Sequence, residues 1–390
     1  MRVVKLEVFH VRIPLKRRVT HASHTRKETD NLVVRCELSD GTIGFGEGVP
    51  REYVTGEDIT SSLELLRQAD LERQLDREIT DFVSGVRLAE QLQLRPRTED
   101  DRGILGNAAR CAVELAILDA CGRAFGEPLG RVTEVISPQL YQFQPFVRYS
   151  GILANPHGWK RRLYPLVYRL TGFTHVKAKV GIPGQDDVNR LRILRRWLGR
   201  QIDLRVDANE GWSAGEVIQR IRELEPFGIS CVEQPVPHEE ISCLAEVRSQ
   251  VHTPIMLDES LCSLNDAERA IRHQWCDLFN IRLSKCGGFI PSLRLAELAR
   301  HYGLGYQLGC QVGETAILSA AGRHFATSVS GLRYLEGSYD RHLVEEPLSR
   351  EDLTIGWGGR APALTGCGLG ITIDPQRLAA VTLEHHTILG

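Results

Sequence analysis

The chain has no long apolar run and no surplus of either charge, and these two absences remove whole classes of function. No stretch in its 390 residues reaches the roughly 20 consecutive apolar residues that a membrane-spanning helix needs. The N-terminus, MRVVKLEVFHVRIPLK, alternates like a strand and lacks the apolar core of a signal peptide. A formal net charge of −2 gives no electrostatic pull toward nucleic acid or a membrane surface. Ten cysteines are scattered with no CxxC pair and no zinc-type spacing, the pattern of reduced thiols in a cytoplasmic protein. No Gly-rich fingerprint follows the first strand, which argues against a dinucleotide-binding fold.

What remains is an ordinary globular composition, 42% hydrophobic and 25% charged, in a chain longer than one core usually serves. Two domains are expected. LEVFHVRI and NLVVRCELSD alternate apolar and polar, and the turn Ser39-Asp40-Gly41 leads into TIGFGEG. Helical periodicity follows near 58–74 and 105–126. Residues 1–135 therefore read as an α+β module. From 136 to 360 strand and helix alternate, with strands expected at 143–150, 174–180, 202–207, 229–233, 254–258, 277–283, 304–309 and 332–336. Helices at 214–225, 264–273 and 289–302 lie between them. Eight such units predict an α/β fold with a (β/α)8-type barrel. Residues 361–390 are Gly-rich, then strand-like, and are expected to return to the N-terminal module.

Charged residues end several of these strands. Lys177 and Lys179 lie in HVKAKVG, Asp207 in LRVDANEGW, Glu233 in CVEQPV and Asp258 in IMLDES. From Lys179 the steps are 28, 26 and 25 residues, close to the roughly 30 of one βαβ unit. The C-terminal ends of barrel strands are where catalytic groups gather. Three carboxylates suit a hard divalent cation such as Mg²⁺, which keeps open positions for water or substrate; with no His or Cys among them, zinc and copper are disfavoured and Mn²⁺ remains feasible. The alternative is three unrelated barrel acids in ion pairs. Residues two apart on a strand share a face, so Lys177 and Lys179 both point inward, and two buried ammonium groups side by side are expected to have depressed pKa values. A lysine so tuned can serve as a general base. Carboxylate-bound metal with a lysine base is the equipment for removing a proton α to a carboxylate.

The set KxK (Lys177, Lys179), VDAN (Asp207, Asn209), VEQP (Glu233), LDES (Asp258) and the pair Gly287-Gly288 resembles the muconate lactonizing enzyme branch of the enolase superfamily. The resemblance spans nearly the whole chain, including the VTGE segment from Val54 to Glu57. It implies Mg²⁺ at Asp207, Glu233 and Asp258, a barrel closed by loops of an N-terminal capping domain, and a family that often assembles as homo-oligomers. The branch contains cycloisomerases, o-succinylbenzoate synthases, dipeptide epimerases and N-acylamino acid racemases.

One position departs from that pattern. Strand six of the branch carries a lysine on the opposite face of the substrate, and the matching residue in DLFNIRLSKCGG is Arg282. Arginine does not readily give or take a proton. Lys285, three residues on, is expected by strand alternation to point away. The reading is therefore a one-base lyase (dehydratase) or cycloisomerase acting on a small carboxylic acid. Lys179 would be the base, Lys177 its modulator, and Arg282 an enolate stabiliser or a holder of a second anionic group. The alternatives are an epimerase of N-acylamino acids or dipeptides and a non-catalytic metal-binding barrel. YQLGCQVGET lacks the histidine of the mandelate racemase branch, and EGSYDRHLVEE lacks the Asp-x-Asp pair of dipeptide epimerases, offering Asp340 in another setting. Gln311 and Glu314 are candidates to line the pocket. Arg26, His21, His24 and Tyr53 lie in segments that resemble the family's lid loops, which read the distal end of a substrate. Cys310 reads as a packed thiol rather than a nucleophile.

Overall fold

The computed structural model describes residues 1–20, 25–94, 100–154 and 158–390. The N-terminal module is an antiparallel sheet of β1 (Val3–Thr20), β2 (Thr25–Leu38) and β3 (Ile43–Gly48), and β14 (Thr382–Leu389) from the far end of the chain pairs along β1. Leu6 and Val8, and then, past an irregularity between His10 and Val11, Val11 and Ile13 of β1 are buried.

The helix Asn107–Phe125 lies on β3, and the sequence explains how closely. Ala108, Ala112, Ala116 and Ala120 recur every four residues and so form one stripe. Gly44, Gly46 and Gly48 alternate on β3 and face that stripe; a Cβ on any of them would run into the helix backbone. Small residues on both sides let the two backbones touch. The end of β3, with Val49 to Arg51, is thereby set over the barrel mouth.

The second sheet has eight strands in the order of the chain: β5 (Gly151–Leu153), β6 (His175–Lys179), β7 (Asp203–Asp207), β8 (Ile229–Glu233), β9 (Ile255–Leu257), β10 (Leu278–Ile281), β11 (Gly305–Leu308) and β12 (Leu332–Leu335). All neighbours run parallel. The two ends of this curled sheet meet where the Ser150 N–H donates to the Leu335 carbonyl at 2.8 Å. Helices Val217–Leu224, Leu264–Arg272 and Phe289–His301 stand where the periodicity placed them. The first barrel strand does not. The stretch expected at 143–150 yields β4 (Phe146–Arg148), which pairs outside the barrel with β13 (Arg360–Pro362). Phe146 and Arg148 are solvent-facing, and the Phe146 ring lies 4.1 Å beneath the Arg360 guanidinium. The barrel strand begins only at Gly151.

The N-terminal module is tied to the barrel through the loops at its mouth. Glu47 of β3 accepts from the Thr315 N–H (2.9 Å), the Thr315 hydroxyl (2.8 Å) and the Leu318 N–H (3.0 Å), at the start of helix Ala316–Ser328. Glu114 accepts from the Phe289 and Ile290 N–H groups that open helix Phe289–His301. Helix N-termini expose unpaired N–H groups and a positive dipole end, so each acid satisfies donors that the fold would otherwise bury. Asn107 donates to the carbonyls of Cys262 (2.8 Å) and Lys285 (2.7 Å). Among the described residues no helix is long and apolar enough to cross a membrane.

Candidate active site

The parallel register of the sheet puts the charged strand ends side by side. Lys179 pairs with Asp207, and Asp207 with Glu233; Asp258 follows β9 directly. The carboxylates of Asp207, Glu233 and Asp258 are all buried. Two motif residues position them. Asn209 (φ 44°) turns back so that its N–H donates to Asp207 at 3.1 Å. Gln234 (φ 35°) accepts from the N–H groups of Asp258 (3.0 Å) and Ser260 (3.2 Å), joining the end of β8 to that of β9.

Lys177 lies beneath the acids. Its Nζ is 2.9 Å from Glu336, 3.2 Å from Asp207 and 3.2 Å from Glu233. The sequence predicts a depressed pKa for both lysines, and for Lys177 the structure reverses it. Burial alone would lower its pKa, but Glu233, Glu336 and Asp207 outweigh burial and raise it. The three acids favour its charged form. Lys179 behaves as expected: burial first, then the charges of Lys177 and Arg282, lower its pKa against the pull of Asp207 and Glu259. The two lysines are thus shifted in opposite directions.

Arg282 donates through Nη2 to Asp258 and stands 3.8 Å from Glu233. It is the ion-pair partner of an acid, not a free arm over the pocket. Lys285 corrects a second expectation. β10 ends at Ile281, and the Cys286 N–H bonds to the Arg282 carbonyl, so residues 282–286 form a helix-like turn. Three residues along such a turn return to the same side, whereas strand alternation would have sent the side chain away. The Lys285 Nζ is fully buried and donates to the Asp258 carboxylate (2.8 Å), the Asp258 carbonyl (2.6 Å) and the Asn280 carbonyl (3.0 Å). Burial lowers its pKa.

Sequence reasoning missed Glu336 and Arg205. Glu336 follows β12 at the same strand-end register as the other acids, so the pattern that found them extends to it. Arg205 precedes Asp207 by two and faces the same way. It pairs with Glu336 and donates to the Ser150 hydroxyl at 3.0 Å, a buried bond at the seam of the barrel. Asn280 was also missed; it donates to Glu233 at 2.7 Å.

The outer candidates are brought together less tightly. The Arg26 guanidinium lies 5.2 Å over the Tyr53 ring. The Gln311 N–H donates to Glu314 at 2.6 Å, and burial pushes the Glu314 carboxyl up to about 8. Both amide atoms of Gln311 are buried without a hydrogen-bond partner. The half-buried Cys310 has its pKa raised well above that of an ordinary thiol by burial, which fits packing rather than nucleophilic chemistry. His21 and His24 lie outside the described residues.

As arranged here, the acids face the cationic side chains, and no three His, Cys, Asp or Glu among the described residues converge as a metal-holding group. The donor chemistry nevertheless fits a hard divalent cation: three oxygen ligands, all buried, on successive strands.

Two family matches divide the chain. Residues 3–132 match the mandelate racemase/muconate lactonizing enzyme N-terminal domain, and residues 166–377 match the enolase C-terminal domain-like family. The chain belongs to the mandelate racemase/muconate lactonizing enzyme family of the enolase superfamily. Its curated relatives include the N-succinyl-L-Arg/Lys racemase of Bacillus cereus, 28% identical over 84% of this chain and 85% of that one. The L-Ala-D/L-Glu epimerase of Clostridium acetobutylicum is 31% identical over 82% and 86%. Among solved structures, the Bacillus cereus N-succinyl Arg/Lys racemase superposes with a TM-score of 0.86 at 25% identity, covering 99% of this chain and all of that one. The Cytophaga hutchinsonii dipeptide epimerase, complexed with Mg and D-Ala-L-Val, gives 0.84 at 25% identity over the whole of both chains. This member of the superfamily is an enzyme of lyase or isomerase type, and these relatives are racemases and epimerases. They favour the epimerase alternative over the elimination and cycloisomerisation that Arg282 suggested.

Proposed function

We propose that this chain is a Mg²⁺-dependent racemase or epimerase that removes and returns the proton α to the carboxylate of an N-acylated amino acid or dipeptide. The observation that carries this reading is Lys179: an amine of lowered pKa at the end of β6, in register with Asp207 and two residues from Lys177, whose charged form the acids favour. Asp207, Glu233 and Asp258 would hold Mg²⁺. The ion supplies charge stabilisation for the substrate carboxylate as the α-proton leaves.

Lys179 takes the proton on one face. Burial first, and repulsion from Lys177 second, favour the neutral form of Lys179, and Lys177 adds positive charge near the developing anion. Inversion requires a proton on the opposite face, from the β10 side. Arg282 and Lys285 stand there, and of the two only an amine exchanges protons readily. Lys285 would then have to exchange its contact with Asp258 for the substrate. A second reading has its own support: Arg282 in place of a lysine suits one-face chemistry, in which Lys179 removes the proton and returns it, or directs it, on the same face in a β-elimination or cycloisomerisation.

The test is α-proton exchange in D₂O with saturating Mg²⁺, read by mass spectrometry and chiral analysis, over N-acylamino acids, dipeptides, hydroxyacids, acid sugars and muconates. Deuterium gain with inversion supports the isomerase. Deuterium gain with retention, or loss of water, supports the one-face reading. Exchange that persists in Asp207→Asn would refute the metal assignment.

A further inference from the structure

The helix Lys160–Leu170, between β5 and β6, is turned the wrong way for an ordinary barrel helix. A helix packed on a sheet gives the sheet its apolar stripe and leaves its polar side to water. Here only Pro165 is buried, and Tyr168, one turn on, reaches the barrel through its hydroxyl, which donates to the Ile152 carbonyl at 3.0 Å. Trp159, Leu163, Val167 and Leu170 recur at i, i+4, i+8 and i+11 and so form one stripe on the other side. Trp159 and Leu170 are each 68% exposed, Val167 is exposed and Leu163 is half-buried. At the C-terminal end of the helix Gly358 packs against the Thr171 and Gly172 carbonyls, which places Trp357, 74% exposed, at that end.

Cations flank this stripe. At 3.6 residues per turn, Arg162 and Arg169 fall on one side of it and Lys160 on the other, and all three are exposed. Residues 135–185 contain no Asp or Glu. Helix Asp187–Leu198 packs along this one and adds the exposed Arg192 and Arg196. The acids at its start are already engaged: Asp186 accepts from the Asn189 N–H at 2.9 Å, and Asp187 pairs with Arg190 at 3.0 Å. The net charge of −2 averages over the chain and does not describe this side. An apolar stripe of this kind marks a surface that something covers. A second copy docked through the same face would set Lys160, Arg162 and Arg169 of both copies against each other, because a two-fold interface pairs a patch with itself. Nucleic acid would answer the charge and leave the tryptophans wet. A bilayer with anionic lipid answers both, with headgroup phosphates for the cations and an apolar boundary for the stripe.

We propose that helix Lys160–Leu170, with Trp159 and Trp357 at its two ends, docks this protein on an anionic membrane surface. The helix lies in the plane of the interface, with its stripe at the level of the headgroups and Lys160, Arg162 and Arg169 against the lipid phosphates. Docking is independent of the α-proton chemistry.

The experiment floats the full-length protein with vesicles of phosphatidylcholine, alone or with one third phosphatidylglycerol, at low and at high salt. Binding to the anionic vesicles should be about 10–100-fold stronger than to phosphatidylcholine alone, and high salt should remove most of the difference. The double variants Val167→Gln/Leu170→Gln and Arg162→Gln/Arg169→Gln change only exposed side chains, so each should keep the unfolding temperature of the wild type. Each should bind the anionic vesicles about tenfold less well. No binding to anionic vesicles, equal binding to both kinds, or binding that neither double variant weakens would overturn the proposal. Light scattering tests the rival occupant: a molar mass in solution that falls in Val167→Gln/Leu170→Gln would show that a second copy covers this face, and would also overturn it.

Discussion

Replacing Lys177 by methionine keeps an unbranched side chain, one heavy atom shorter, and deletes its charge. The structure indicates the cost. Nζ lies 2.9 Å from Glu336 and 3.2 Å from both Asp207 and Glu233, and the residue is only 4% exposed. After the change Glu233 still has Asn280, and Glu336 still has Arg205, but the shared cation between three buried acids is gone. Removing one partner of a buried ionic network costs about 3–5 kcal/mol, because charge is left uncompensated in a poor solvent for it. Since the folded pKa of Lys177 is raised, its stabilisation is fully present below the ordinary lysine value of about 10.4 and is lost only as pH rises through the folded value. Measurements at pH 7 therefore see all of it. The assay is urea unfolding followed by tryptophan fluorescence, first in EDTA and then in Mg²⁺. In EDTA the variant should lose about 3–5 kcal/mol. With Mg²⁺ at about 100 times its dissociation constant, about 2.7 kcal/mol should return, since a bound ion stabilises only the folded state. A loss in EDTA below about 1 kcal/mol, the value of an exposed pair, would refute the claim that Lys177 is the electrostatic keystone of the site.

Lys179→Ala should abolish α-proton exchange while Mg²⁺ still raises the unfolding temperature; exchange that persists would move the base elsewhere. In the wild type the exchange rate should rise with pH through a group below the ordinary lysine value, since the neutral amine is the active form. Arg282→Lys should increase inversion relative to same-face exchange, measured as the ratio of product enantiomer to retained deuterated substrate; an unchanged ratio would show that this position does not decide the face. Glu314 holds its proton in the folded protein up to about 8, against an ordinary glutamate value of about 4.3. A carboxyl whose folded pKa is raised stabilises most below the unfolded value and loses that contribution as pH rises toward the folded one. Glu314→Gln should therefore flatten the fall in thermal stability between about pH 4.5 and 8, and a slope identical to wild type would refute the burial argument.

Much of the site was legible because strand ends in a parallel barrel are spaced by a nearly constant length of chain. Lys179, Asp207, Glu233 and Asp258 follow from that spacing, and two-residue alternation puts Lys177 beside Lys179. The glycines of β3 and the alanines of the long helix likewise announce a close contact between a strand and a helix. The sequence alone thus determined the fold class, the family and most of the charged groups at the barrel mouth, though not Glu336 or Arg205. Where it failed, the deciding quantity was a position in space. Lys285 turns inward because β10 stops at Ile281 and a helix-like turn takes over, a boundary that no alternation rule supplies. Phe146–Arg148 leaves the barrel because β13, more than two hundred residues away, offers it a partner. The two lysines have opposite pKa shifts because Glu233, Glu336 and Asp207, from three separate strand ends, crowd around one of them. Local patterns set which groups a chain carries to a site, whereas pairing and charge act over a few ångströms between distant segments. Only the tertiary structure could decide which lysine is held among three acids and which has its pKa lowered.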